Sequence, residues 1–218
     1  MSKKAWKTIM TMMTAAVLTL ALTACGQSNN ADLSDEELDS LMEQVADKEV
    51  ILNFVDSLPE KALANAEVFT VERDGDAGTA YVYLNTGEYV KARGKAYYMS
   101  GSSGVAIIKF DYTEDGPKLS EVVWSADGSD YDAWLEENLP EDALSAVKEF
   151  GGNEALSADL DAKAADALGV PVETENLLSI DVEKGTYEIT KVIESGEGDD
   201  YTFDTETIEE GNLNELAR

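Results

Sequence analysis

The chain has 218 residues, 44% of them hydrophobic, with 45 acidic against 16 basic side chains, no histidine and one cysteine, which gives a formal net charge of −29. The lack of histidine excludes Ser-His-Asp and Cys-His nucleophiles and imidazole-ligated metals, and a lone cysteine excludes an internal disulfide. The acidity argues against nucleic acid as a partner and against simple electrostatic adhesion to anionic lipid, while the apolar share suffices for a packed core.

Residues 1–24 read as an export signal. Lys3, Lys4 and Lys7 make a positive start, and residues 8–24 are uncharged, with Ile9, Met10, Val17, Leu18 and Leu20 in the apolar centre. This run is shorter than the ~20 residues of a spanning helix and ends in small residues. It closes on Leu22-Thr23-Ala24-Cys25, followed by Gly26. Those four residues resemble, position by position, the lipobox of bacterial lipoproteins. The resemblance implies cleavage before Cys25, diacylglycerol on its sulfur, and a place on the extracytoplasmic face of the cell membrane. At ~0.8 kcal/mol per buried methylene, two or more acyl chains anchor durably, so Cys25 is expected to be an anchor and not a nucleophile. Residues 25–32 are then a polar, lipid-anchored tether.

A first folded region is expected over residues 33–150. Ser34-Asp35-Glu36-Glu37 fits a capping box, and Leu33 with Leu38 fits a hydrophobic staple, so a helix starts there. Leu38, Leu41, Met42, Val45, Leu52 and Val55 keep helical spacing, Pro59 stops or kinks the helix, and residues 60–66 are expected to add a further turn or two. From Glu67 the period changes to two. Strands are expected over 68–73, 79–85, 88–99, 105–112 and 118–124, separated by turn residues at 74–78, 85–87, 100–104 and 114–117. Such short gaps favour an antiparallel meander. Ser129 or Asp130 is placed to cap a short helix bearing Tyr131, Trp134 and Leu135, and Pro140 to open another bearing Leu144, Val147 and Phe150.

Residues 151–218 form a second region: a helix over 153–168 closed by Gly169 and Pro171, strands over 177–182, 186–193 and 201–207, and a mobile acidic end from 209 to 218. With few large apolar side chains, this region is expected to pack on the first. The expected fold class is α+β: an N-terminal amphipathic helix on an antiparallel meander sheet, cystatin-like or NTF2-like by analogy, with C-terminal helices and a small strand-rich annex.

Residues 81–140 carry a further likeness. Tyr81-Val82-Tyr83-Leu84, the loop Ser100-Gly101-Ser102-Ser103-Gly104 feeding an apolar strand from Val105, Trp124, Asp127-Gly128, Tyr131 and Asn138-Leu139-Pro140 resemble an extracytoplasmic domain of Gram-positive lipoproteins and of β-lactam-sensor-type membrane metallopeptidases. Val105 departs from the proline expected soon after the glycines. The resemblance implies a sensing or interaction module. The peptidase's zinc chemistry does not carry over, because it needs histidines that this chain lacks.

Four constellations bear on chemistry. Alternation within a strand over 88–99 would put Lys91, Arg93 and Lys95 on one face with Tyr89 and Tyr97, a cationic strip for an anionic group; the competing reading is that each cation pairs with a neighbouring acid. Acid clusters at Asp74 and Asp76, at Asp111, Glu114 and Asp115, at Asp127, Asp130 and Asp132, and at Asp199, Asp200 and Asp204 could offer oxygens to Ca²⁺, residues 127–132 first. None fits an EF-hand, and no cofactor or metal is assigned. Ser145-Ala146-Val147-Lys148 spells the Ser-x-x-Lys of penicillin-recognising enzymes without their companion motifs and reads as an exposed helix. Paired carboxylates could run glycoside hydrolysis without histidine. The function expected is a surface-anchored, non-enzymatic module that binds or senses an extracytoplasmic ligand or protein; the alternative is a lipid-anchored, carboxylate-dependent hydrolase of cell-wall sugar or peptide.

Overall fold

The first helix starts where the capping box puts it. In the computed structural model, which describes residues 33–50, 58–195 and 202–216, the Glu37 amide donates to Ser34 Oγ at 3.3 Å and the Ser34 amide donates to Glu37 Oε2 at 2.9 Å. This satisfies the open end of α1 (Asp35–Glu49), whose Leu41, Met42 and Val45 are buried with Leu33 and Leu38 packed beside them. The signal segment 1–24, the tether 25–32 with Cys25, and the expected helix positions Leu52 and Val55 lie outside the described residues. Among the described residues, no helix is long and apolar enough to cross a membrane.

Five antiparallel strands follow: β1 (Glu60–Asp74), β2 (Ala77–Ala92), β3 (Lys95–Ser100), β4 (Ser103–Thr113) and β5 (Gly116–Trp124), in the order β1-β2-β4-β5 with β3 also on β2. Two expectations fail in this sheet. Residues 60–66 are strand and not helix: they pair with β2 from Glu60↔Val90 to Ala66↔Leu84, and Ala62, Ala64 and Ala66 turn one small face beneath α1. Sheet pairing and close helix approach outweigh the helix preference of alanine there. Nor does the chain turn at residues 85–87, because β2 runs through them unbroken. The reversal comes instead at Arg93-Gly94, where φ is 50° and 75°, the two positive values of a two-residue type I′ hairpin, closed by the pair Ala92↔Lys95.

Helices cover the opposite face of the sheet from α1. After a 3₁₀ turn (Gly128–Asp130), α2 (Tyr131–Asn138) and α3 (Glu141–Glu149) pack on Tyr81, Val105 and Ile107, and α4 (Glu154–Leu168) sets Leu160 and Ala164 against Tyr89. Neither Ser129 nor Asp130 caps the backbone of α2 with its side chain, because the 3₁₀ turn already feeds the helix. A second antiparallel sheet, β6 (Asn176–Asp181), β7 (Thr186–Ser195) and β8 (Thr202–Asn212), turns Leu178, Tyr187 and Ile189 onto Leu58, Val90 and Tyr97. The described chain is therefore α+β, with five α-helices and eight strands in two antiparallel sheets.

The acidic end is a further correction. Instead of fraying from residue 209, the chain completes β8 and forms α5 (Leu213–Leu216), with Leu213 and Leu216 7% and 0% exposed inside the seam between the sheets. Spacing of i and i+3 puts both leucines on one side of that single turn. Truncating a leucine this deeply buried costs about 2–5 kcal/mol, so Leu216→Ala is expected to lower the urea-unfolding free energy by at least about 2 kcal/mol, whereas a frayed end would give a change within ~0.5 kcal/mol.

Candidate functional site

Odd-numbered residues of β2 face α4, and one of them is a glycine for a steric reason. A Cβ on Gly87 would stand 2.9 Å from the Tyr89 ring, 3.0 Å from Leu160 and 3.1 Å from the Tyr98 ring. Without it, Tyr89 on β2 and Tyr98 on β3 meet as a cross-strand pair, edge to face, with centroids 5.5 Å apart. Their surroundings differ. Tyr89 is 2% exposed and its hydroxyl donates to Asp161 Oδ1 of α4 at 2.7 Å; burial first, and then that carboxylate, push its phenol far above the ordinary range. Tyr98 is 47% exposed.

Hydrogen bonds hold the surrounding walls. Thr86 Oγ1 donates to the Ser102 carbonyl at 3.2 Å and accepts from the Ser102 amide at 3.0 Å, which ties the loop after β3 to β2. Asn85 Nδ2 donates to Ser157 Oγ of α4 at 3.2 Å. On the far side, the Ala96 amide donates to the Pro171 carbonyl at 2.9 Å and the Glu173 amide to the Ala96 carbonyl at 2.7 Å, so the segment after α4 lies along the free edge of β3. These walls enclose an open hollow of about 450 Å³, with Tyr89 and Tyr98 in its lining.

Glu173 sits in the far wall, with its side chain 5% exposed and ion-paired to Lys95. Burial alone would raise its carboxyl, but the Lys95 ammonium, the Glu175 amide and the Asn176 side chain outweigh that effect and hold it down to about 2.

The three cations of the expected strip do not share a strand face, because Arg93 belongs to the hairpin turn. Lys91 Nζ donates to the Leu168 carbonyl at 3.0 Å, at the negative end of the α4 dipole. Arg93 donates to the Tyr187 hydroxyl at 2.8 Å and to Glu209 in the second sheet, and Lys95 reaches Glu173. Tyr97 lies on the other side of the sheet from Tyr89, in the seam with Val90. Each cation therefore ties a different peripheral segment to one hairpin.

Elsewhere, Ser145 Oγ donates to the Glu141 carbonyl at 2.8 Å, one turn back on α3, which directs its proton into the helix backbone and not towards Lys148. Among the described residues, no group of three or more acidic side chains is gathered to hold a metal, the 127–132 segment included; Asp199 and Asp200 lie outside those residues. Of the residues that build the hollow, the sequence had singled out Tyr89, as part of the cationic strip, and Gly101, Ser102 and Ser103, as part of the loop that carries the likeness over residues 81–140. A glycine inside a strand, as at Gly87, is the available signal of close approach by another element. Set against known protein families, curated proteins and solved structures, the chain has no match.

The depressed Glu173 carboxyl fixes the sign of a pH effect. Its folded value of about 2 lies below its ordinary 4.5, so the associated stability is present above pH 4.5 and is lost as pH falls towards 2. With screening at half-exposed Lys95, the contribution is on the order of 1 kcal/mol. Glu173→Gln is expected to be less stable than the parent by about that amount at pH 7, with the gap closing between pH 4.5 and 2 in a series of urea titrations.

Proposed function

We propose that the chain is a lipid-anchored, extracytoplasmic binding protein, held on the cell membrane through diacylglycerol on Cys25 and offering the Tyr89–Tyr98 hollow to a ligand. The observation that carries this reading is how the carboxylates of the hollow are engaged. Glu173 is paired with Lys95 and held to about 2, and Asp161 accepts the Tyr89 hydroxyl. A general acid for glycoside cleavage needs a carboxyl raised towards neutrality, the reverse of what Lys95 does to Glu173. Half-exposed Tyr98 beside the hydroxyls and amides of the lining suits recognition better than proton transfer.

Two likenesses support the same role. The Leu22-Thr23-Ala24-Cys25 lipobox supplies the anchor, and residues 81–140, which resemble extracytoplasmic sensing domains, contain both tyrosines of the hollow. A helix laid across an antiparallel sheet is also the layout of cystatin-like and NTF2-like folds, an analogy of architecture that adds nothing about the ligand.

Two measurements test this reading. In a lipoprotein-processing bacterial host fed an alkyne fatty acid, the parent chain is expected to label and to sediment with membranes, while Cys25→Ser is expected to do neither; an unlabelled parent would overturn the anchor. Incubated with purified peptidoglycan, the protein is expected to release no soluble fragment. Release that disappears in Asp161→Asn would establish the hydrolase in place of the binding protein.

A further inference from the structure

The geometry points to a neutral, hydroxyl-rich ligand, a short saccharide, as the class received between Tyr98 and the α4 wall; this rests on the reading of the hollow as a binding site. Its lining is dominated by groups that both donate and accept, among them Ser102, Ser103, Asn153, Ser157 and Thr174. Sugar hydroxyls have the same dual character, whereas an apolar ligand would bury those groups without partners, at about 1–3 kcal/mol each. Among the described residues that line the hollow there is no lysine or arginine, while Asp161 and Glu173 are both present. In a chain of net charge −29, that lining repels an anion. For an organic cation, Lys95 already neutralises Glu173, which leaves, of the described residues, the Asp161 carboxylate as the one lining charge without a counter-charge, amid a larger number of neutral hydroxyls and amides. The remaining accepting capacity of Asp161 suits a sugar O–H.

Tyr98 supplies the other half of sugar recognition. The residue is 47% exposed and its ring is braced by Tyr89 at 5.5 Å, so it gives a fixed apolar plate for the C–H side of a pyranose. Leu160, Val172 and Leu177 extend that apolar component on the wall. A volume of about 450 Å³ falls within the usual range for small-molecule sites and suits a short oligosaccharide rather than a long chain.

Calorimetric titration of the full-length chain in detergent tests the assignment, with chitotriose and cellotriose as neutral probes, oligogalacturonate as the anion and spermine as the cation. At least one neutral trisaccharide is expected to bind. Its affinity is expected to fall about tenfold in Tyr98→Ala and to stay within about twofold in Tyr98→Phe, which keeps the ring. Thr174→Arg, at an exposed position of the rim, is expected to weaken the same binding and serves if Tyr98→Ala does not fold. Binding of spermine or oligogalacturonate alone, sensitive to Tyr98, would overturn the saccharide class and leave the hollow as a binding site. Saccharide binding unchanged in both Tyr98→Ala and Thr174→Arg would overturn the site. Absence of binding by every probe would overturn the saccharide class, and in that case a parent chain still labelled at Cys25 leaves the anchor standing.

Discussion

Continuous hydrogen bonding along β2 is the constraint on which the remaining architecture depends. This one strand pairs with β1 over nearly its whole length on one edge, and on the other edge it serves β4 with its first half and β3 with its second. Because side chains alternate along it, the same strand sends Val82, Leu84 and Val90 to one side and Tyr81, Tyr83 and Tyr89 to the other. The first set receives α1 and the second sheet, and the other set receives α2, α3 and α4. A turn at residues 85–87 would have separated these layers. Without one, Gly87 becomes the point at which α4 and two tyrosines approach the sheet, and the hollow is a consequence of that approach.

The hairpin that ends β2 gathers the peripheral segments. Arg93, Lys95 and Lys91 reach the second sheet, the segment after α4 and the end of α4, respectively. Magnitudes rank these ties below the apolar seam. Exposed ion pairs contribute about 0–1 kcal/mol each, whereas each fully buried aliphatic or aromatic side chain contributes about 1.5–3 kcal/mol, and the seam holds Val90, Tyr97, Ile189 and Leu216 among others. The seam therefore supplies the cohesion, and the cations fix how the second sheet and the far wall of the hollow sit on it. In a strongly acidic chain this use of its scarce cations also limits self-repulsion where the two sheets meet.

The hollow joins unequal partners. Tyr89 is buried and its hydroxyl donates to half-buried Asp161, a contact that fixes the floor, while Tyr98 and the serine-rich loop stay open to solvent. For the binding role proposed above, a fixed floor and a half-exposed aromatic wall would keep the ordering cost of the protein low.

Much of this architecture could be read from neighbouring residues alone. The capping box at Ser34, the strands from Val105 to Tyr112 and from Lys118 to Trp124, and the closure of α4 at Gly169 follow from contacts within a few positions, so the sequence states them directly. The likeness of Leu22-Thr23-Ala24-Cys25 to a lipobox is equally local, a pattern of adjacent side chains. Other features depended on partners distant in the chain. Residues 60–66 became strand because β2 offered an edge later in the chain, from Leu84 to Val90, residues 85–87 ran straight because β1 paired across them, and the acidic end folded because Leu213 and Leu216 found a seam whose first-sheet side, Val90 and Tyr97, lies far back in the chain. The hollow belongs to this second group: Tyr89, Tyr98, Asp161 and Glu173 carry no shared spacing, and only the packing of α4 and its following segment onto one hairpin brings them together.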